Sequence, residues 1–71
     1  MSDPHPIVKE LWRIRIESNL SQVELACDMG VGQNVLSFRE MGRVSPQLNT
    51  LSEWADALGY ELTLKPKLPK T

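Results

Sequence analysis

The sequence is poor in cysteine, histidine and aromatic residues, and it has no excess of positive charge. Among its 71 residues, Cys27 is the one cysteine and His5 the one histidine, so an internal disulfide or a zinc site cannot form. Disulfide-stapled secreted scaffolds and metal fingers are therefore excluded. No apolar run approaches the roughly 20 residues that span a bilayer, and the first residues, MSDPHP, lack the basic and apolar regions of a signal peptide. We expect a cytoplasmic protein without a membrane partner.

Size and charge limit the possible functions further. Hydrophobic residues make up 41% and charged residues 24%, which is ordinary globular usage, and 71 residues leave room for one core. Lys and Arg total 8 against 9 Asp and Glu, so bulk electrostatic attraction to nucleic acid is weak. The single histidine has no paired carboxylates or phosphate-cradling glycine loop beside it, and a catalytic set is lacking. We predict that the protein is not an enzyme and uses no cofactor or metal.

Hydrophobic periodicity predicts a first helix that starts at Pro6 and runs to about Ser18. Its core-facing positions recur at helical spacing and are predicted to be Ile7, Leu11 and Ile14. Asn19 then closes the helix in the left-handed conformation.

Two short helices separated by a tight glycine turn are predicted next. Ser21 followed by Glu24 is a capping box, in which the hydroxyl and the carboxylate bond the free amides of a helix start. A second helix therefore begins at Gln22 and ends at Gly30, a residue type that suits a left-handed helix end. A third helix follows over residues 33–41.

A fourth helix and a short strand complete the predicted fold. The buried side of the fourth helix is predicted to carry Leu48, Leu51, Ala55 and Leu58. Trp54 borders that side, and Gly59 ends the helix. Apolar and polar residues alternate over residues 60–65 before Pro66, which indicates a strand. The prediction is an all-α domain over residues 6–65 with a short C-terminal β-strand, between a flexible lead-in (1–5) and a flexible tail (66–71).

The central stretch, SQVELACDMGVGQNVLSFREMG, has the helix-turn-helix pattern. Ala26 is as small as the closest approach of two steeply crossing helices requires, Gly30 suits the turn, and Leu36 is the apolar residue inside the second helix. With the segments LSQVELA, MGVGQ and GRVSPQLNTL in that order, the chain resembles the Cro and lambdoid-repressor family, also called the xenobiotic response element family, from roughly Leu11 to Leu62. The resemblance implies a lambda-repressor-like four-helix domain that binds double-stranded DNA.

The resemblance also implies roles for individual residues, with the third helix lying in the DNA major groove. The implied base-contacting residues are Gln33, Asn34, Ser37 and Phe38. Independently of the family, Gln and Asn amides can pair bidentately with adenine N6 and N7. The implied phosphate-contacting residues are Gln22, Gly32, Arg39 and Arg43. Arg15 and Glu40 match positions that form a partly buried ion pair in the family, tying the first helix to the recognition helix.

The sequence departs from the family pattern at three positions. The family usually has a basic or polar residue followed by an aliphatic one, where this chain has Phe38 and Arg39. Either Phe38 meets thymine methyl groups while Arg39 lays its stem along the core, or the helix rotates to bury Phe38 and free Arg39 for a phosphate. The sequence leaves both open. Gly32 replaces the Ser or Thr that the family prefers as helix cap, at a cost of a few tenths of a kcal/mol or so.

Two unpartnered surfaces predict a homodimer. Val8, Trp12 and Ile16 lie about 100 to 180 degrees around the first helix from Ile7, which leaves one apolar side spare. A lone strand also needs another strand to pair with. The predicted interface residues are Trp12, Ile16, Tyr60, Leu62 and Leu64. The tail LGYELTLKP further resembles the C-terminal strand of HipB-type antitoxins, where strands of two subunits pair across the two-fold axis.

The predicted function is that of a dimeric, sequence-specific transcriptional repressor of a palindromic operator. One alternative is an antitoxin, which binds its own promoter and also a toxin protein through its spare apolar surface. A second alternative is a protein-interaction module that has the fold without binding DNA. A toxin gene beside this one would favour the antitoxin, and salt-dependent binding to the protein's own promoter would exclude the interaction module.

Overall fold

Four helices form within residues 4–63, the part of the chain that this computed structural model describes. They are α1 (Pro6–Glu17), α2 (Gln22–Met29), α3 (Gln33–Glu40) and α4 (Leu48–Ala57). α3 contacts both α1 and α2, and α2 also contacts α4. No helix in this range is both long and apolar enough to cross a membrane. The four predicted helices are confirmed, each within one or two residues of its predicted ends.

Local turn chemistry accounts for the helix ends. Ser21 Oγ accepts a hydrogen bond from the Glu24 amide at 3.0 Å, and Glu24 Oε1 accepts one from the Ser21 amide at 3.0 Å, which confirms the capping box. The bonds from the Ser21 backbone and side chain hold the pKa of the Glu24 carboxyl below its ordinary value. Asn19 and Gly30 have φ angles of 58° and 72°, so both adopt the predicted left-handed conformation.

The start of α1 has a cap that the sequence analysis did not predict. His5 precedes Pro6, and its Nδ1 atom accepts a hydrogen bond from the Ile7 amide at 3.1 Å. One of the amide donors at the start of the helix is thereby satisfied. The histidine of the predicted lead-in is thus part of the helix terminus.

The core is formed by side chains from all four helices. Its buried members are Val8, Leu11, Leu25, Ala26, Leu36, Trp54 and Ala55. Trp54, Leu25 and Leu36 are completely buried. Ala26 is almost completely buried, as expected for the small residue of a helix-turn-helix.

The predicted buried face of α1 was wrong in one respect. Val8, which was predicted on the spare apolar side, is buried in the core, whereas Ile7 is 39% exposed. Val8, Leu11 and Arg15 are spaced at i, i+3 and i+7, which puts them on one face of a helix. Since Arg15 is buried against α3, that face turns inward and carries Val8 into the core, while Ile7 in the first turn stays near the surface.

The predicted buried face of α4 was also wrong in part. Trp54 lies in the core rather than at its border, and Leu48 is 74% exposed. At about 100° per residue, burying Trp54 with Ala55 turns the inner face away from Leu48. Leu48 also occupies the first turn, where side chains point back toward the helix start and past the core.

The predicted C-terminal strand is not shown. Residues 60–63 are not in a strand, Leu62 is half-buried against the core, and residues 64 and 65, with the rest of the chain, lie outside the described residues. Pairing across a dimer and the domain limits of 6–65 therefore stay predictions.

The burial pattern predicts contrasting effects of two leucine truncations. Leu36→Ala should lower the free energy of unfolding by about 2–5 kcal/mol, because it leaves a cavity in the core. The matched control Leu48→Ala should change it by no more than about 0.5 kcal/mol, since the side chain is already in solvent. Urea unfolding followed by circular dichroism measures both. Equal losses in the two variants would contradict the assignment of the core.

Candidate nucleic-acid interface

A tight connection sets the angle between α2 and α3. Gly30 takes the left-handed conformation, and the Val31 amide donates to the Ala26 carbonyl at 3.0 Å. Gly32 caps α3 with extended backbone and no side-chain hydrogen bond. The first amides of α3 consequently have no side-chain cap, and such a helix start can bind an anion.

A buried ion pair joins α1 to the end of α3. Arg15 Nε donates to Glu40 Oε2 at 2.7 Å, and Arg15 Nη2 donates to Glu40 Oε1 at 3.1 Å. The remaining nitrogen, Nη1, donates to the Leu20 carbonyl at 2.8 Å. Only 8% of the Arg15 side chain and 3% of the Glu40 side chain are exposed. The structure therefore brings together the two residues that the family resemblance pairs, and the pair fixes α3 relative to α1.

Two glutamines extend this ion pair to the protein surface. Gln22 Nε2 donates to Glu40 Oε1 at 2.9 Å, and Gln33 Nε2 donates to Gln22 Oε1 at 3.3 Å. Gln22 is half-buried and Gln33 is exposed. Each is the first residue of its helix, so the starts of α2 and α3 lie side by side. We call the hydrogen-bonded series Arg15–Glu40–Gln22–Gln33 the glutamine relay.

The sequence did not predict the relay, although it singled out all four of its members. The sequence feature that points to the relay is the position of the two glutamines, because each begins a helix of the same helix-turn-helix. What the sequence lacked was the tertiary angle that brings the two helix starts within hydrogen-bonding distance.

The other candidate base-contacting residues lie along α3. Asn34 is exposed, and Ser37 is half-buried with its hydroxyl 3.7 Å from Met41 Sδ. Asn34 folds back over Gly32, since a Cβ placed on Gly32 would lie 2.7 Å from Asn34 Oδ1. A side chain at position 32 would therefore displace the exposed Asn34 amide, which is the end of a flexible side chain.

The burial of Phe38 and Arg39 matches the first of the two arrangements that the sequence left open, in which the Phe38 ring faces outward. Phe38 is 42% exposed, and Arg39 is half-buried. The helix is thus not rotated to bury the ring. The exposed Arg43 guanidinium lies over the Phe38 ring, 5.7 Å from its centroid, within the range of a cation–π interaction. The ring and the arginine that follows α3 therefore share one patch of surface.

Comparison with known families assigns this architecture. A family model described as helix-turn-helix matches residues 13–65, which include all of α2, α3 and α4. The chain belongs to the Cro/C1-type helix-turn-helix family. Domains of this family are DNA-binding transcription regulators. A search of curated proteins finds no match.

The candidate dimer residues of this helix-turn-helix chain differ in exposure. Trp12 and Ile16 on α1 are each 46% exposed, and Tyr60 is also exposed. Leu62 packs partly against the chain's own core, and Leu64 lies outside the described residues. α1 therefore presents two large apolar side chains to solvent on the side away from the core.

The difference in burial between the ion pairs of Arg15 and Arg13 predicts that these two arginines of α1 contribute unequally to stability. Arg15→Met should lower the free energy of unfolding by about 3–5 kcal/mol, because it leaves the Glu40 carboxylate buried without its cation. Adding Glu40→Met should recover most of that loss, since it removes the uncompensated charge. The measurement is chemical denaturation of the three proteins.

The matched control is Arg13→Met on the same helix. Arg13 bonds Glu10 and Glu17 at the surface, where an ion pair contributes less than about 1 kcal/mol. If Arg13→Met costs as much as Arg15→Met, the buried pair is not what fixes α1 to α3.

Proposed function

We propose that this chain is a dimeric, sequence-specific transcriptional repressor that reads a palindromic operator with the start of α3. The observation that supports this most is the exposed Gln33 amide at the start of a helix held in place by a buried ion pair. A short helix of eight residues needs such external support, because isolated helices of this length are not stable. A helix fixed in this way can dock into a groove with little loss of conformational entropy.

Direct base readout is assigned to residues that α3 exposes. Gln33 and Asn34 supply amides, which can pair with the N6 and N7 atoms of adenine in the major groove. Phe38 supplies an apolar ring, which can contact thymine methyl groups. Ser37 is half-buried beside them and supplies a hydroxyl that donates or accepts.

Phosphate contacts are assigned to groups around the two helix starts and after α3. Gln22 has a second Nε2 hydrogen beyond the one donated to Glu40, and it sits at the positive end of α2. The amides at the Gly32 cap lack a side-chain acceptor. Arg43 is exposed, and Arg39 is half-buried. These contacts position the domain but carry no sequence information by themselves.

Dimerisation through α1 and the C-terminal segment follows from the exposed apolar groups. Trp12, Ile16 and Tyr60 are large side chains that a second copy would remove from water. A two-fold dimer would present two copies of α3 to successive major grooves, which is the geometry that a palindromic operator requires. A dimer seated across a promoter would exclude other proteins from that DNA, and this is the basis for proposing a repressor.

An antitoxin is the alternative that the same surface supports. In that case the apolar side of α1 would bind a toxin protein, and the DNA-reading residues would bind the protein's own promoter. A neighbouring toxin gene, with a stable complex of the two products, would favour this alternative over a stand-alone repressor.

The division between base reading and phosphate binding predicts two kinds of mutant. Gln33→Ala should lose about 1–3 kcal/mol on the specific operator and relax the preference at one base position. Arg43→Ala should weaken binding to all sequences and reduce the slope of log K against log salt by about one unit. Fluorescence anisotropy with specific and scrambled duplexes, at several salt concentrations, measures both.

Each variant should show only its own effect: a changed base preference for Gln33→Ala, and a uniform loss of affinity for Arg43→Ala. The two roles are assigned wrongly if Gln33→Ala binds the operator as tightly as wild type and only Arg43→Ala changes the base preference.

The dimer proposal predicts that charge on α1 produces monomers. Trp12→Glu and Ile16→Glu should each yield a monomer, because a carboxylate would be buried in the interface. Val23→Glu is the matched control, since Val23 is an exposed apolar residue on α2, outside the proposed interface, and should leave the dimer intact. Sedimentation equilibrium gives the mass of each protein. Dimers in all three variants would place the interface elsewhere.

A further inference from the structure

We propose that Pro4 is a positioning residue for DNA binding, because its contact with Gly42 holds the turn after α3 in the shape that keeps Arg43 over the Phe38 ring. The inference rests on the proposed function, since it concerns the arginine that is assigned to a phosphate. Pro4 itself touches no DNA in this assignment. It acts through Gly42 on the residue that follows.

Two backbone hydrogen bonds fold the chain back on itself at the end of α3. The Gly42 amide donates to the Arg39 carbonyl at 3.2 Å, and the Arg43 amide donates to the Phe38 carbonyl at 3.0 Å. This is the Schellman pattern of a helix end, in which the two residues joined by the longer bond commonly also pack their side chains together. Here the packed groups are the Arg43 guanidinium and the Phe38 ring, 5.7 Å apart. The position of Arg43 over the ring therefore depends on the conformation of the turn.

The turn requires glycine at position 42 for two independent reasons. The φ angle of Gly42 is 80°, in the left-handed region that residues with a Cβ rarely adopt. In addition, a Cβ at this position would lie 2.9 Å from Pro4 N and 3.0 Å from Pro4 Cα. Both are backbone atoms, so a side-chain rotation cannot relieve the clash. The missing Cβ thus makes room for the chain that precedes α1.

Gly59, after α4, differs from Gly42 in this close approach. Its φ angle of 84° is similar, but a Cβ placed on Gly59 would meet no atom within 4 Å. Alanine at either position therefore imposes a similar backbone strain, and only alanine at position 42 also meets Pro4. The two glycines form a matched pair for mutation.

The segment that contains Pro4 is tied to the start of α1. The His5 carbonyl accepts a hydrogen bond from the Lys9 amide at 3.0 Å, and the His5 ring caps the helix through the Ile7 amide. The rings of Pro4 and Pro6 also fix the φ angles on both sides of His5. Pro4 therefore has little freedom to move away from Gly42, and their contact joins the start of α1 to the turn after α3.

An arginine that is held in advance binds a phosphate at a lower cost in conformational entropy. Ordering one long side chain only on binding lowers affinity by roughly 2- to 10-fold. Arg43 over the Phe38 ring has lost part of that freedom before DNA binds. Since a phosphate contact carries no sequence information, the contact of Pro4 with Gly42 should raise the affinity for all sequences alike.

A double-mutant cycle with Arg43→Ala tests this role. Gly42→Ala should weaken binding to specific and scrambled duplexes alike, by roughly 2- to 10-fold, because the turn shifts and Arg43 leaves the ring. In the Arg43→Ala background the same change should have no further effect, since the side chain that it positions is absent. Gly59→Ala is the matched control and should leave the affinity unchanged in both backgrounds. Fluorescence anisotropy measures all of these affinities.

Pro4→Gly is a second variant, which removes the proline ring and keeps glycine at position 42. It keeps the test decisive if Gly42→Ala does not fold, and it should show the same weakening and the same dependence on Arg43. Wild-type affinity in a folded variant of either kind overturns the proposal. A loss that is equally large in the Arg43→Ala background, or that Gly59→Ala reproduces, also overturns it.

Resonances of the free protein give a readout that does not depend on DNA. An aromatic ring shifts the proton signals of groups held over its face, so the Arg43 side-chain signals should differ from those of a free arginine. Gly42→Ala and Pro4→Gly should move these signals toward the free values, and Gly59→Ala should not. Unmoved Arg43 signals in the folded variants would overturn the proposal. A wild-type protein that binds no DNA would overturn the proposed function, and with it the binding role of Pro4, whatever the resonances show.

Discussion

The buried bond between Arg15 and Glu40 is the constraint on which the arrangement of this domain depends. It joins the end of α1 to the last residue of α3, and its third arginine nitrogen bonds the Leu20 carbonyl in the connection between α1 and α2. A buried ion pair adds little stability compared with apolar residues of the same shape, because both charges lose their hydration. Its contribution here is directional: the guanidinium fork and the carboxylate fit in one orientation, and that orientation defines how α3 is presented.

The rest of the domain supports that presentation. α3 is eight residues long; its Leu36 is buried in the core, whereas Gln33 and Phe38 are exposed. Trp54 fills the centre from α4. The ion pair therefore fixes the last residue of α3, and the core fixes its buried side. The first turn and the outer face of α3 are left for a ligand. In the proposed function that ligand is DNA, and the glutamine relay connects the ion pair to Gln33, the residue proposed to contact a base.

Much of this fold is predictable because its helix ends are local. The capping box at Ser21 and Glu24, and the left-handed Asn19 and Gly30, depend on residues within a few positions of one another, so the sequence was sufficient. The rotation of each helix about its axis is harder to predict from the sequence. Periodicity identifies an apolar face, but packing against the other helices determines which part of that face turns inward. The burial of Arg15 turned Val8 inward, and packing of Trp54 turned Leu48 outward. The bond between Gln22 and Gln33 spans 11 residues and depends on the angle between two helices, so no local pattern encodes it.

The central claim is that the start of α3, held by this ion pair, reads a specific DNA sequence. The most direct measurement is selection of bound duplexes from a random pool, followed by sequencing. We expect enrichment of a palindrome whose half-sites lie about one helical turn apart, roughly 10 base pairs, with an adenine in each half-site whose enrichment disappears in Gln33→Ala. Recovery of a random pool, or of an enriched site that Gln33→Ala selects unchanged, would contradict the claim.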